Sequence, residues 1–193
     1  MMLKLQTAQQ WKDGLASWGE DGDRIVSVGA SGQVADHRID AGGRCVVPGF
    51  VDSHSHLVFA GDRSDEFAAR MAGAPYQAGG INVSVDATRA ASASELEHLT
   101  AGRRAEALRA GITTIEIKSG YGLDVETERR SIEVASSLTN ELTFLGAHVV
   151  PREYVGRSDA YIDLVCNDML TAAVSAGASL IPSPTIATGP TAA

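Results

Sequence analysis

Two histidines one residue apart, His54 and His56, close the run Val46-Val-Pro-Gly-Phe-Val-Asp-Ser-His-Ser-His56. A short apolar run rich in β-branched residues reads as a buried strand, and side chains two positions apart on a strand project to the same side. One face therefore carries two imidazoles. Imidazole suits zinc, iron, nickel or copper, and two nitrogens about one pleat apart can share one metal ion. Two ligands are half of a site, and the only other histidines are His37, His98 and His148. Asp52 shares the face of the pair, where it would accept a hydrogen bond from an imidazole N–H. A bare His-x-His also occurs on surface strands without a metal. Here the buried strand and the Pro48-Gly49 entry before it favour the metal reading.

Further chemistry falls at the ends of two later runs. Ile112-Thr-Thr-Ile-Glu-Ile-Lys118 is a strand that ends in Ser119-Gly-Tyr-Gly122, a loop whose glycines let the backbone turn sharply around Tyr121. Glu116 and Lys118 share one face of that strand. Buried charges are costly unless paired, so they mark either a polar interior near a site or an exposed edge. Leu142-Thr-Phe-Leu-Gly-Ala147 is a third strand and delivers His148. For His148 three roles stand open: substrate contact, metal ligand, or a buried structural histidine.

The elements that must position these residues follow from periodicity. Trp11 to Cys45 breaks into short segments divided by turn residues, with Glu20-Asp-Gly-Asp23 a turn and Arg24 to Gly29 a strand. From Arg63 to about Ser94 runs a polar connection far longer than a usual βα loop, and such loops are often functional. It carries Arg63, Arg70, Tyr76 and Arg89, cations and an aromatic able to close over an anionic substrate. Ser94 is expected to cap a helix that bears Leu96, Leu99, Ala105 and Leu108, with His98 on its surface and Gly111 at its end. Asp124 to Leu138 forms the next helix, with a Glu126–Arg130 pair on its outer side. Pro151 to Tyr154 reads as a loop, and Ser158 or Asp159 starts another helix.

Strands alternating with helices imply an α/β fold with a parallel sheet and right-handed crossovers. In a (β/α)8 barrel the active site lies at the C-terminal ends of the strands. The His54/His56 pair, Tyr121 and His148 all fall at such ends. The expected layout is a small β unit over residues 1–47, the first βα units of a barrel over 48–176, and a disordered or aberrant tail over 177–193. That tail holds three of the six prolines, and no charged residue follows Asp168.

At Pro48-Gly-Phe-Val-Asp-x-His-x-His56 the chain resembles the first-strand signature of the amidohydrolase superfamily of metal-dependent hydrolases. Three further blocks, His56-Leu-Val-Phe-Ala-Gly-Asp-Arg63, Glu116-Ile-Lys-Ser-Gly-Tyr-Gly-Leu123 and Thr143-Phe-Leu-Gly-Ala-His148, make it resemble the imidazolonepropionase family within that superfamily. The resemblance runs from about Asp40 to about Leu170. It implies a (β/α)8 barrel beside a β-sandwich built from both chain ends. It also implies one zinc or iron ion held by His54 and His56. The reaction implied is hydrolysis of 4-imidazolone-5-propanoate to N-formimidoyl-L-glutamate, in histidine degradation. By the same resemblance Arg63, Tyr121 and His148 contact substrate, with Arg63 a fork for the propionate carboxylate. The family's later metal-binding histidine and its proton-handling aspartate have no matching position here. No catalytic residue proper is assigned within the chain. The expectation is an N-terminal part of such an enzyme, poorly active or inactive by itself.

Two other readings stand beside this one: another amidohydrolase, of nucleobase deaminase or chlorohydrolase type, or a noncatalytic fragment that associates with another chain. An incomplete barrel exposes strand edges and apolar helix faces, which favours association, a homo-oligomer included. Composition narrows the partners. Across 193 residues, 16 lysines and arginines against 24 aspartates and glutamates give a net charge of −8. That balance argues against nonspecific binding to nucleic acid or to an anionic membrane. Cys45 and Cys166 are distant in sequence and read as reduced packing residues rather than a disulfide. With no stretch of 18 apolar residues and no cleavable leader at Met1, the expected location is the cytoplasm.

Overall fold

The computed structural model describes residues 16–18, 25–28, 39–42, 44–73 and 80–179. The turn expected at Glu20 to Asp23, His37, Tyr76 and residues 180–193 lie outside them. Two antiparallel strands, β1 (Ala16–Trp18) and β2 (Ile25–Val28), form a two-stranded sheet. The second sheet has three parallel strands in the order β3 (Phe50–Ser55), β4 (Ile112–Lys118) and β5 (Leu142–Thr143). This is the α/β arrangement with a parallel sheet that the alternation predicts.

Helices connect the parallel strands. Between β3 and β4 lie α1 (Ser64–Met71), α2 (Gly80–Ala90) and α3 (Ala93–Arg109). Between β4 and β5 lies α4 (Val125–Ser136), and after β5 come a 3-10 turn (Arg152–Tyr154), α5 (Ser158–Leu164), a π turn (Val165–Met169) and α6 (Leu170–Ser175). The core sits between the sheet and these helices. Ile115 and Ile117 of β4, with Leu142 and Phe144, meet Leu96 of α3, Ile132 and Ala135 of α4, and Tyr161, Met169 and Ala173, all buried.

Several expectations change. The long connection after Arg63 contains two helices rather than an open loop, because Asp65 and Glu66 complement the first turn of α1 and Arg70 its last. Arg89 on α2 is committed to structure: its Nε donates to the Gly122 carbonyl at 2.7 Å, and its guanidinium meets Asp124 at 3.0 Å and Glu153 at 2.8 Å. It ties α2 to the loop before α4 and to the 3-10 turn. The cap of α3 is Ser92, whose hydroxyl accepts from the Glu95 N–H at 3.2 Å, not Ser94. On α4 Glu126 pairs with Arg129, while Arg130 reaches the carbonyls of Thr88 and Arg89. The third strand is only two residues long. Cys45 and Cys166 are both exposed, so neither packs the core.

The strand before the histidine pair is also less buried than its composition suggests. Val47, Phe50 and Val51 stay 59–69 % exposed. Among the described residues β3 is an edge strand that pairs only with β4, so its apolar side chains find no second neighbour. A register irregularity between Asp52 and Ser55 interrupts plain alternation where the histidines begin.

Candidate functional site

Parallel strands end on the same edge of their sheet, so the residues that leave β3, β4 and β5 meet there. His56 follows β3, Tyr121 lies in the loop after β4, and His148 lies in the turns after β5. The His56 and His148 rings stack at 4.7 Å between centroids with planes 9° apart. Tyr121 meets both edge-on, at 5.5 Å from His56 and 5.4 Å from His148. His54 lies 5.6 Å from His56, also edge-on. Three strand ends therefore supply one cluster of rings, and the structure brings together four of the five residues singled out from the sequence. Phe59 extends the cluster at 5.6 Å from Tyr121, with the Arg103 guanidinium 3.6 Å from the centroid of the Phe59 ring. Arg103 also donates to the carbonyls of Leu57 and Phe59, both at 2.7 Å. This clamp holds the segment that leaves the histidine pair, and nothing in the residue types foretold it.

The two histidines of the pair differ. His54 is exposed, whereas His56 is half-buried and its Nδ1 is buried without a hydrogen-bond partner. Burial pushes the His56 pKa down to about 4; the charges of His148, His54 and Lys118 add to this, and the Ser119 backbone opposes it. The ring is therefore neutral at neutral pH, which is the form that ligates a metal. A buried ring nitrogen without a hydrogen-bond partner, beside a second imidazole, is the kind of donor a metal ion takes. Among the described residues no group of three His, Cys, Asp or Glu side chains could hold one. In His148 the Nδ1 donates to the Gly120 carbonyl at 2.9 Å, which leaves Nε2 as the acceptor of the neutral ring.

Charges surround the cluster. Lys118 pairs with Glu116, which also accepts from the Thr143 hydroxyl, and both charged side chains are largely buried on the middle strand. Burial raises the Glu116 pKa, but bonds from Lys118 and Thr143 outweigh it and the net direction is down. The pair does not lie on an edge. Asp52 departs from expectation: its carboxylate accepts from the backbone N–H of His54 at 3.0 Å and from the Ser55 hydroxyl, rather than from an imidazole. It shapes the backbone at the irregularity in β3. Arg63 holds Glu66 in a two-bonded fork, at 2.8 and 3.0 Å. A substrate carboxylate would have to share or displace that partner.

A pH dependence follows from His56. Its folded pKa lies below the ordinary value of 6.5, so the unfolded chain binds more protons between about 4 and 6.5. The contribution of the neutral ring is complete above pH 6.5 and is lost as pH falls toward 4. Urea titrations of the metal-free chain should show stability dropping across that window, and His56→Gln should flatten that part of the curve. An unchanged slope would mean that His56 titrates as an ordinary surface histidine.

No family model matches the chain. Curated relatives do. It is 59 % identical over 159 residues to an imidazolonepropionase of Mycolicibacterium smegmatis, covering 81 % of this chain and 40 % of that one. It is 57 % identical over 162 residues to one of Salinispora tropica, covering 84 % and 40 %. A third, from Streptomyces avermitilis, is 56 % identical over 154 residues, covering 79 % and 37 %. The chain spans about two-fifths of the length of the curated relatives it matches. The resemblance carried by the four sequence blocks thus extends well beyond them: over about four-fifths of its length this chain is similar to the N-terminal part of imidazolonepropionases.

Proposed function

We propose that this chain is the N-terminal part of an imidazolonepropionase, a metal-dependent amidohydrolase of histidine degradation that opens the ring of 4-imidazolone-5-propanoate to give N-formimidoyl-L-glutamate. The observation that carries the reading is the meeting of His56, Tyr121 and His148 at one edge of the parallel sheet, in a chain whose relatives bear that name. In this reading residues 48–176 are the first βα units of a (β/α)8 barrel, residues 1–47 are half of a composite β-sandwich, and residues 177–193 stand outside both. The location is cytoplasmic, and exposed apolar side chains such as Phe50 and Val51 favour association with a second copy.

His54 and His56 would hold one zinc or iron ion, which when bound activates water and polarises the scissile carbonyl. The chain's own residues do the rest. His148 offers Nε2 toward the cleft because Gly120 occupies its Nδ1. Tyr121 stands edge-on to both imidazoles, where its ring walls the cleft and its hydroxyl reaches a polar group of the substrate. Arg63, at the N-cap position of α1, takes the propionate in place of Glu66. The lysine-neutralised Glu116 keeps the floor of the cleft polar without adding net charge.

Zinc and iron titrations of the chain test the metal assignment. Stoichiometric binding that is lost in both His54→Ala and His56→Ala is expected, and binding that survives both substitutions would overturn it. The substrate assignment is tested in an enzyme that carries this segment. There Arg63→Lys is expected to raise KM by roughly tenfold to a hundredfold, the worth of a charged hydrogen bond. An unchanged KM would remove Arg63 from the carboxylate site.

A further inference from the structure

Glu128 takes no part in the chemistry above, yet its side chain is completely buried. It sits one turn into α4, on the stripe it shares with Ser131, Ile132 and Ala135. Charged groups are almost never fully buried without partners. Here the partners are all donors, and they all come from the loop that carries Tyr121. Its Oε1 accepts from the N–H of Gly122 and of Leu123, both at 2.8 Å, and its Oε2 accepts from the N–H of Gly120 at 3.0 Å. The Ser119 hydroxyl is a fourth donor. Four donors and no acceptor suit an ionised carboxylate, although burial pushes its pKa up.

The loop turns through backbone conformations that L residues rarely adopt. Gly120 has φ +120° and Leu123 has φ +58°, so two residues within four positions sit in the left-handed region, one of them not glycine. The carboxylate accepts from the N–H groups of both, and at Leu123, the non-glycine, that bond offsets the cost of the left-handed conformation. The same peptide then passes the constraint on: Gly120 gives its N–H to Glu128 and its carbonyl to His148 Nδ1.

We infer that Glu128 is the positioning residue of the site. Through the three backbone N–H groups it pins the 119–123 loop, which sets the ring of Tyr121 and aims the Gly120 carbonyl that selects the Nδ1–H tautomer of His148. The inference rests on the proposed function only in treating Tyr121 and His148 as substrate-contacting groups.

The test compares the 193-residue chain with Glu128→Gln by nitrogen-15 NMR of the histidine rings and by amide hydrogen exchange. The amide of glutamine keeps one acceptor and turns a donor toward the loop. In the unmutated chain His148 should show a single Nδ1–H tautomer, and the amides of Gly120, Gly122 and Leu123 should be protected like those of β4. In Glu128→Gln, shown to be folded by circular dichroism, His148 should become a tautomer mixture. Protection at the three amides should fall roughly tenfold to a hundredfold. A folded Glu128→Gln with the His148 ring unchanged overturns the inference, because a merely structural role would leave that tautomer alone. Should the variant fail to fold, the unmutated chain decides: open-loop exchange at the three amides or a mixed His148 tautomer overturns it, and protection with a single tautomer supports it. None of these readouts needs turnover or metal, so metal binding that survives both histidine substitutions, or an unchanged KM for Arg63→Lys in an enzyme that carries this segment, overturns the proposed function and leaves the role of Glu128 standing.

Discussion

Tyr161→Ala is expected to destabilise the chain by about 3–5 kcal/mol, the usual cost of deleting a large buried ring. Tyr161 has no exposed surface, packs its ring 5.3 Å from that of Tyr154, and donates its hydroxyl to the Gly146 carbonyl at 2.6 Å. Burial raises its pKa far above the ordinary tyrosine value, so the hydroxyl stays a neutral donor at every working pH. Two costs can be separated. Tyr161→Phe keeps the ring and leaves the carbonyl unpaired, which costs about 1–3 kcal/mol; the alanine variant adds a cavity. Because domains of this size hold only about 5–15 kcal/mol in total, the alanine variant should lose much of its cooperative urea transition. A loss below about 1 kcal/mol for Tyr161→Ala would show that the ring is not packed as described. The partner carbonyl belongs to the turn that presents His148, so the phenylalanine variant should also disturb that imidazole.

The second large effect is expected at Gly122. A Cβ built there would lie 2.8 Å from the Thr127 Cβ, 2.8 Å from the Glu128 amide nitrogen and 2.9 Å from the Thr127 carbonyl carbon. Two of those atoms are backbone of the first turn of α4, held by the Asp124 cap, and cannot swing aside as a side-chain tip would. Gly122→Ala should therefore cost about 1–3 kcal/mol or more by overpacking. It should also push Tyr121 out of its edge-on contact with His56 and His148. Gly102→Ala on α3, where nothing lies within 4 Å, is the matched control and should be neutral or slightly stabilising. Equal stability of the two variants, measured by thermal unfolding, would sink the account of Gly122.

The same contrast explains which parts of the molecule were legible in the sequence. Alternation of strand and helix periods in 112–138 places β4 and α4 almost to the residue, because β-branched runs and an aspartate cap are local signals. The ring cluster is legible for a related reason: residues just past parallel strands must share an edge, whatever the details of packing. Where tertiary packing decides, the sequence misleads. The apolar run before the histidines contains an exposed strand, since β3 lies at the edge of the described sheet. Residues 64–90 are polar and glycine-bearing and so pass for a loop, although Phe67 with Met71 on α1 and Ile81 with Val85 on α2 stand at helical spacing. The cap of α3 falls at Ser92, two residues before the expected Ser94, because the Ser92 hydroxyl is the one that accepts from the Glu95 N–H. Glu128 hides among the charges of its helix, although a signal existed: it stands four residues before Ile132 and so falls on the inward stripe. The residue type of Arg63 points to a carboxylate fork, and the local i, i+3 bond it makes to Glu66 is not signalled by that chemistry.

The stack of His56 on His148 has a kinetic consequence. The two rings follow β3 and β5, the strands that flank β4 in the sheet, and about ninety positions of chain separate them. Helices such as α3 and α4 close their own turns within microseconds, but a contact across that length must first absorb the entropy of closing a long loop. Parallel pairing of β3 with β4 and then of β4 with β5 has to be in place before the rings can meet, and nonlocal pairing of this kind is the slow part of folding. The imidazole pair and its partner are thus completed last, after most of the helical structure exists. A metal ion that arrives early would find only the local pair His54 and His56 on a strand not yet backed by its neighbours.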